Sequence, residues 1–262
     1  MGKYNLDTIV RKVKDIPVLP NRINRIMKIT QDPDSTVEDL ELEILKDQSL
    51  TSNVLKLANS TYYGYPRKIN TVSKATILLG FKTIESIAIA STVSKFLLGE
   101  LEGYALGEYD LWNQSQTCAI ISRYIAKEKR FEDPELAYTA GLLRDIGKTI
   151  LNYYVKNEYL KISEMVQNEG KSFLEAEEIV LGFNHGQIGG EVAKKWDFPI
   201  DLIEAIEYHH TPEKAKENHK LVSIVHVADA ITMLMGVGLG ADGLAYGFSK
   251  YAMEELNIDD SD

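Results

Sequence analysis

The feature that most restricts this chain is its punctuation. Signals that start and stop helices recur along its length, and no segment between them alternates apolar and polar residues with period two. Ser35-Thr36-Val37-Glu38 has the Ser-x-x-Glu spacing of a capping box. In such a box a hydroxyl and a carboxylate reciprocally satisfy the backbone N–H groups left over at a helix start. Val37, Leu40, Ile44 and Leu45 follow at the three-and-four spacing of one apolar helix face. Ser172-Phe173-Leu174-Glu175 repeats the box. Asp133-Pro134 and Thr211-Pro212 each place an N-cap residue before a proline at the first helical position. Gly170 and Gly182 stand where helices should stop. Without a strand bounded by turn residues, the expected fold is all-α.

The helical pattern breaks across Gly99–Gly107, where three glycines interrupt the run. We expect an N-terminal helical subdomain over residues 1–102 and a second, larger helical bundle over 103–262, the two packed as one body. Each half is of ordinary domain size.

Charge narrows the partners. The chain carries 29 Lys and Arg against 39 Asp and Glu, a formal net charge of −10. Affinity for a phosphate backbone or an anionic membrane comes largely from Lys and Arg, so both are disfavoured partners. The single cysteine, Cys118, cannot form an internal disulfide and fits a reducing compartment. MGKYNLDTIVRK lacks the apolar core of a signal peptide. The longest apolar run, Met233 to Ala241, is nine glycine-broken residues, too few to span a bilayer. The expected location is the cytoplasm.

Five histidines occur: His185, His209, His210, His219 and His226. A single helical histidine is ordinarily a satisfied structural residue. The series Asp145, His185, His209-His210 and Asp229 is more informative, because imidazole nitrogen and carboxylate oxygen together suit a divalent metal. Neighbouring helical residues point about 100° apart. His209 and His210 can therefore share one ion only over the seam of a helix end; otherwise His210 is a polar terminus residue favoured by the helix dipole. Gln114 falls on the apolar stripe formed by Leu111, Cys118, Ile121 and Ile125, so its amide needs partners inside the bundle, and we expect it to face a polar pocket.

Gly141-Leu-Leu-Arg-Asp-Ile-Gly-Lys148 resembles the metal-holding turn of the HD superfamily, with Arg144 where a histidine would stand. The helix with Gln114-Ser115 resembles the one that bears the first HD histidine, and Asp229, in HVADAIT, resembles the final aspartate. Gln114 and Arg144 thus replace two histidines while Asp145 and Asp229 remain. His185 and His209-His210 resemble the additional histidines of the HD-GYP branch. Leu19-Pro20, Asn59-Ser60 with Tyr62-Tyr63-Gly64, and Ala75 to Gly80 resemble the HDOD domain, and with the later motifs the resemblance covers roughly residues 10 to 240.

The resemblance implies a bacterial signalling module without a complete catalytic set. Such a module acts through contacts with signalling proteins, and through a small ligand or one divalent ion such as Fe, Mn, Zn or Ni in the old pocket. Candidate ligands are Asp145, His185, His209, His210 and Asp229. The alternative is a metal-dependent phosphohydrolase of nucleotides or cyclic dinucleotides using that reduced site. Arg144 stays protonated at physiological pH. Either it occupies the vacated position and pairs with Asp145 and Asp229, or it points to water.

Three further features have plain structural readings. Gly238-Leu-Gly-Ala-Asp-Gly243 matches Gly-x-Gly-x-x-Gly but follows a helix rather than a strand, so a loop is expected. The tyrosines of Asn59–Pro66 either pack beneath a helix stop or form a surface for a partner. Trp112 and Trp196 are expected in the core, and the acidic end at 259–262 as a solvated tail.

Overall fold

The computed structural model describes residues 21–241 and 247–258, apart from the side chains of Tyr153, Tyr154, Val155 and Tyr159. The Leu19-Pro20 motif, the Asp242-Gly243 end of the glycine-rich run and the acidic tail at 259–262 lie outside the described residues. Those residues form thirteen α-helices and two short 3-10 helices. They contain no strand, only an isolated antiparallel bridge between Leu101 and Leu106. The all-α expectation holds. No helix among them is long and apolar enough to cross a membrane.

The helices group into two compact units, with the boundary between Lys95 and Phe96. The first unit contains α1 (Asn21–Gln31), α2 (Val37–Leu45), α3 (Gln48–Ala58), α4 (Val72–Leu79) and most of α5 (Phe81–Leu97). Helix α1 buries Ile23, Ile26 and Met27, the three-and-four spacing that drives an amphipathic helix onto a core. The capping box of α2 falls one residue later than expected. Thr36 is the N-cap: its hydroxyl accepts from the Asp39 N–H, and the Asp39 carboxylate accepts from the Thr36 N–H. That register turns Leu40 and Ile44 fully inward and leaves Leu45 exposed. At the end of α3, Asn59 donates from Nδ2 to the Leu55 and Ile69 carbonyls and accepts from the Ile69 N–H. The tyrosine run beyond it is partly at the surface, with Tyr62 and Tyr65 each 41% exposed.

The second unit contains α6 (Asp110–Glu128), α7 (Pro134–Leu143), α8 (Ile146–Glu169), α9 (Phe173–Leu181), α10 (His185–Lys195), α11 (Ile200–Tyr208), α12 (His219–Leu234) and α13 (Lys250–Leu256). Helices α6 and α7 pack as a hairpin, α12 lies on α6, and α10 packs against both α8 and α11. Asp133 caps α7 with Pro134 at its start, Ser172 and Glu175 form the box of α9, and Gly170 and Gly182 end their helices in the left-handed conformation. Thr211-Pro212 departs from expectation. It opens a 3-10 helix, Pro212–Lys214, and the Thr211 side chain caps nothing. The cause is Glu204, whose buried carboxylate accepts from the N–H groups of Lys216, Glu217 and Asn218. The chain must close on that anion before a second helical turn can form.

On α6, Leu111, Cys118 and Ile125 are buried, Ile121 is half-buried, and Gln114 lies fully buried among them. Trp196 is core, packed between Phe96 and Phe198. Trp112 is only half-buried, because one residue beyond Leu111 it lies about 100° round the helix from the stripe. The glycine-broken interval belongs to the second unit. Within it, Glu102–Tyr104 forms a 3-10 turn that carries a fully buried tyrosine, Tyr104.

Candidate metal centre

The centre is assembled at the junction of α7 and α8. Helix α7 ends at Leu143, Arg144 and Asp145 make the turn, and α8 begins at Ile146. Gly147 lets the first turn of α8 touch the first turn of α10: a Cβ there would overlap the carbonyl oxygen of His185 and come within 2.8 Å of the Gly189 nitrogen. The glycine of the Asp-Ile-Gly-Lys run thus allows His185, the first residue of α10, to stand beside Asp145. His209 and His210 arrive from the C-terminal end of α11.

Four donor atoms converge, one each from Asp145, His185, His209 and His210, all within 4.8 Å of one another. Asp145 Oδ1 is 3.4 Å from His185 Nε2 and 3.7 Å from His209 Nε2. His185 Nε2 is 2.9 Å from His210 Nε2. A tetrahedral ion with bonds near 2.05 Å would separate its ligands by about 3.3 Å, so these spacings fit one ion. The ring orientations fit as well. His209 Nδ1 lies 2.8 Å from the Ile206 carbonyl. A carbonyl can only accept, so Nδ1 carries the proton and the Nε2 lone pair faces the centre. His185 Nδ1 is 2.8 Å from Glu177 Oε2, which also accepts from the His185 backbone N–H at 3.0 Å. Carboxylate or carbonyl support behind a ligating imidazole is the usual outer arrangement of metal sites. Both oxygens of Asp145 and the Nε2 of His209 are buried without a hydrogen bond of acceptable geometry. The donor set and its orphaned atoms therefore fit a single divalent ion.

Two buried cations flank the same carboxylate. Arg144 is fully buried; its Nε donates to Asp229 Oδ1 at 2.6 Å, its Nη1 to the Gly141 carbonyl at 3.2 Å, and its Nη2 lies 3.1 Å from Asp145 Oδ2. Lys148 Nζ lies 3.2 Å from Asp145 Oδ1. Burial alone would raise the proton affinity of Asp145, but Lys148 and Arg144 beside it hold its carboxyl well below the usual carboxylate range. Burial opposes the charge of Arg144, and Asp229 and Asp145 more than restore it. Burial likewise opposes an imidazolium at His185, yet the Glu177 carboxylate raises its proton affinity. Burial and the neighbouring His209 push His210 the other way.

Of the residues singled out in the sequence, Asp145, His185, His209 and His210 come together, with the two adjacent histidines reaching one point at a helix end. Asp229 lies outside the four-donor group and faces Arg144. Arg144 is buried and paired rather than solvated. Gln114 meets no polar pocket: its Nε2 lies 3.4 Å from the Met233 sulfur, a weak acceptor, and its Oε1 has no partner. Cys118 is buried, which pushes its thiol up to about 12 and leaves it unreactive. His226 bridges the His209 carbonyl and the Ser249 N–H, and His219 meets the Tyr251 hydroxyl, so both are structural.

Three contributors escaped the sequence reading. Glu177 had a legible signal: it shares the buried face of α9 with Phe173, Ala176 and Val180, and a carboxylate on an apolar stripe needs a partner. Lys148 stood inside the quoted motif without a role. Tyr104, whose hydroxyl donates to Glu177 Oε1 at 2.5 Å, gave no sign within its glycine-rich surroundings.

Comparison with known proteins places the fold. A protein of uncharacterised function from Treponema pallidum (strain Nichols) is 25% identical over 226 residues, covering 85% of this chain and 43% of its own length. The chain spans less than half the length of the curated relatives it matches. Among solved structures, an HDOD domain protein of unknown function from Geobacter sulfurreducens aligns with a TM-score of 0.76 at 28% identity, over 94% of this chain and 83% of that one. A protein from Shewanella amazonensis SB2B, provisionally described as a phosphohydrolase, aligns with a TM-score of 0.71 at 27% identity, over 95% and 97%. The sequence profile of the HDOD domain matches residues 16–212, three quarters of the molecule and all but one of the residues discussed above as ligands or flanking cations. The chain belongs to the HDOD domain family.

Proposed function

We propose that this chain is a non-catalytic regulatory module of signal transduction, which works through contacts with other proteins and holds one divalent ion at Asp145, His185, His209 and His210. The observation that carries this reading is Arg144. Its guanidinium lies fully buried between Asp145 and Asp229, the two carboxylates that a working HD centre would offer to metal. A fixed organic cation there supplies positive charge but no exchangeable water.

Hydrolysis of a phosphodiester needs an activated water and neutralisation of the phosphate, often from two metals about 4 Å apart. Arg144 takes up one carboxylate of any second site. Asp145, His185 and His209 are at most 1% exposed and only His210 of the four donors is partly exposed, which leaves a phosphoryl group little room beside the centre. The net charge of −10 favours protein partners over nucleic acid. The second reading, a phosphohydrolase working with the reduced site, draws on the same four donors and on the likeness to the Shewanella protein.

The test is turnover of nucleotides and cyclic dinucleotides by protein loaded with Mn, Fe, Zn or Ni. The expected result is no hydrolysis above the protein-free rate with any of them. Turnover that Asp145→Ala abolishes would establish the hydrolase instead.

A further inference from the structure

Glu177 is the hub of a buried chain of contacts that leads away from the four donors. Its Oε2 accepts from both the Nδ1 side and the backbone N–H of His185, and its Oε1 accepts from the Tyr104 hydroxyl. Glu177 and Tyr104 are both fully buried. The Tyr104 ring lies 5.8 Å from Lys148 Nζ, the ammonium that sits on Asp145. The Tyr104 carbonyl accepts from the Ala241 N–H at 2.7 Å, and the Gly103 N–H donates to Asn152 Oδ1 at 2.8 Å. One tyrosine therefore touches both consequences of filling the centre, through His185 and through Lys148. It also fastens two irregular segments, Gly99–Gly107 and the stretch ending at Ala241.

We infer that Glu177 is the positioning residue of the metal centre and that, through Tyr104, occupancy of the centre sets how firmly the Gly99–Gly107 and 238–241 segments are held. This rests on the reading of the four donors as a divalent-ion site. His185, when its Nε2 lone pair is engaged by a cation, becomes a stronger donor from Nδ1, which tightens its bond to Glu177. Lys148 then faces a like charge across Asp145 and has the electron-rich face of Tyr104 already within range. The first change pins the Glu177 carboxylate that anchors the Tyr104 hydroxyl, and the second presses an ammonium toward the Tyr104 ring, so the loaded centre leaves the tyrosine less room to move. The segments it fastens are short on regular structure, so a small gain in their closing equilibrium is readable as slower exchange of their backbone amides.

The experiment measures Co(II) and Zn(II) binding by chelator competition, and amide hydrogen exchange with and without the metal, for the parent, Glu177→Gln and Tyr104→Phe. Glu177→Gln is nearly isosteric: its amide oxygen can still accept from His185 and its NH2 can face the Tyr104 oxygen. The expected loss of affinity in Glu177→Gln is about 10- to 100-fold, typical of an outer-shell partner. Metal should slow exchange across 99–107 and 238–241 in the parent. In Tyr104→Phe the slowing should be confined to the neighbourhoods of His185, His209 and His210, with binding of one equivalent retained. Equal slowing in Tyr104→Phe, no slowing in a parent that holds one equivalent, or parental affinity in Glu177→Gln would each overturn the relay and leave the metal site standing. A parent that takes up no metal would overturn the site and the relay together.

Discussion

The two sides of Asp145 have solved one electrostatic problem in opposite ways. Toward α12, Arg144 lies between Asp145 and Asp229 as a covalently attached cation, hydrogen-bonded and fully buried. Toward α10 and α11, Asp145 meets three imidazoles, two of them anchored from behind, His185 by Glu177 and His209 by the Ile206 carbonyl. The first side holds its cation permanently. The second gathers imidazole nitrogens around Asp145 Oδ1, which is buried there without a good hydrogen bond. A buried carboxylate needs counter-charge, which a side chain supplies as part of the fold and a metal supplies only when present in solution. The fixed side should therefore govern stability, and the open side should make stability depend on conditions.

The largest expected effect breaks the fixed side. Arg144→Ala leaves Asp145 and Asp229 buried with one fewer cation between them. Removing one partner of a buried pair costs about 3–5 kcal/mol, read from urea unfolding of parent and variant. A loss below about 0.5 kcal/mol is surface behaviour and would show that the arginine does not hold the junction of α7, α8 and α12.

The next effect sharpens the open side. Binding confined to the native state stabilises by about 2.7 kcal/mol at a hundredfold excess over Kd. Zn(II) or Co(II) should raise the parent's thermal midpoint accordingly. His209→Ala, which removes a lone pair already aimed at the centre, should abolish that increase and lower the bound metal from one equivalent to none. A metal-dependent increase that survives in His209→Ala would place the ion elsewhere.

The smallest effect concerns the rim of the open side. Burial lowers the proton affinity of His226 below its ordinary value of 6.5. The unfolded chain then binds more protons than the folded one as pH falls below about 6.5, so this histidine contributes stability above that value which is lost toward acid. His226 Nε2 accepts from the Ser249 N–H, just ahead of α13. Protonation removes that acceptor, and α13 should exchange its amides faster at about pH 5.5 than at neutrality, after correction for intrinsic rates. Unchanged protection of Lys250–Leu256 would show that α13 is held by its packing alone.

What the sequence determined by itself was local. Capping boxes, prolines at helix starts and glycines at helix stops depend on neighbouring residues, so the helices could be read directly. Even the one-residue slip at Thr36 reflects a choice between adjacent hydroxyls. Asp145, His185, His209 and His210 were legible because their chemistry marks them and motif order carries them. Tertiary structure decided the rest, because charge pairing and burial act between residues far apart in the chain. Arg144 could have pointed to water, and only the approach of α12 sets Asp229 against it. Thr211-Pro212 could have opened an α-helix, had Glu204 not drawn three backbone N–H groups onto its carboxylate. Asp229 reads as a metal ligand in its motif, yet a buried guanidinium 2.6 Å away gives it a different partner. Tyr104 became part of the centre because the fold lays a glycine-rich interval over Glu177, a contact between residues 73 positions apart that no local pattern encodes.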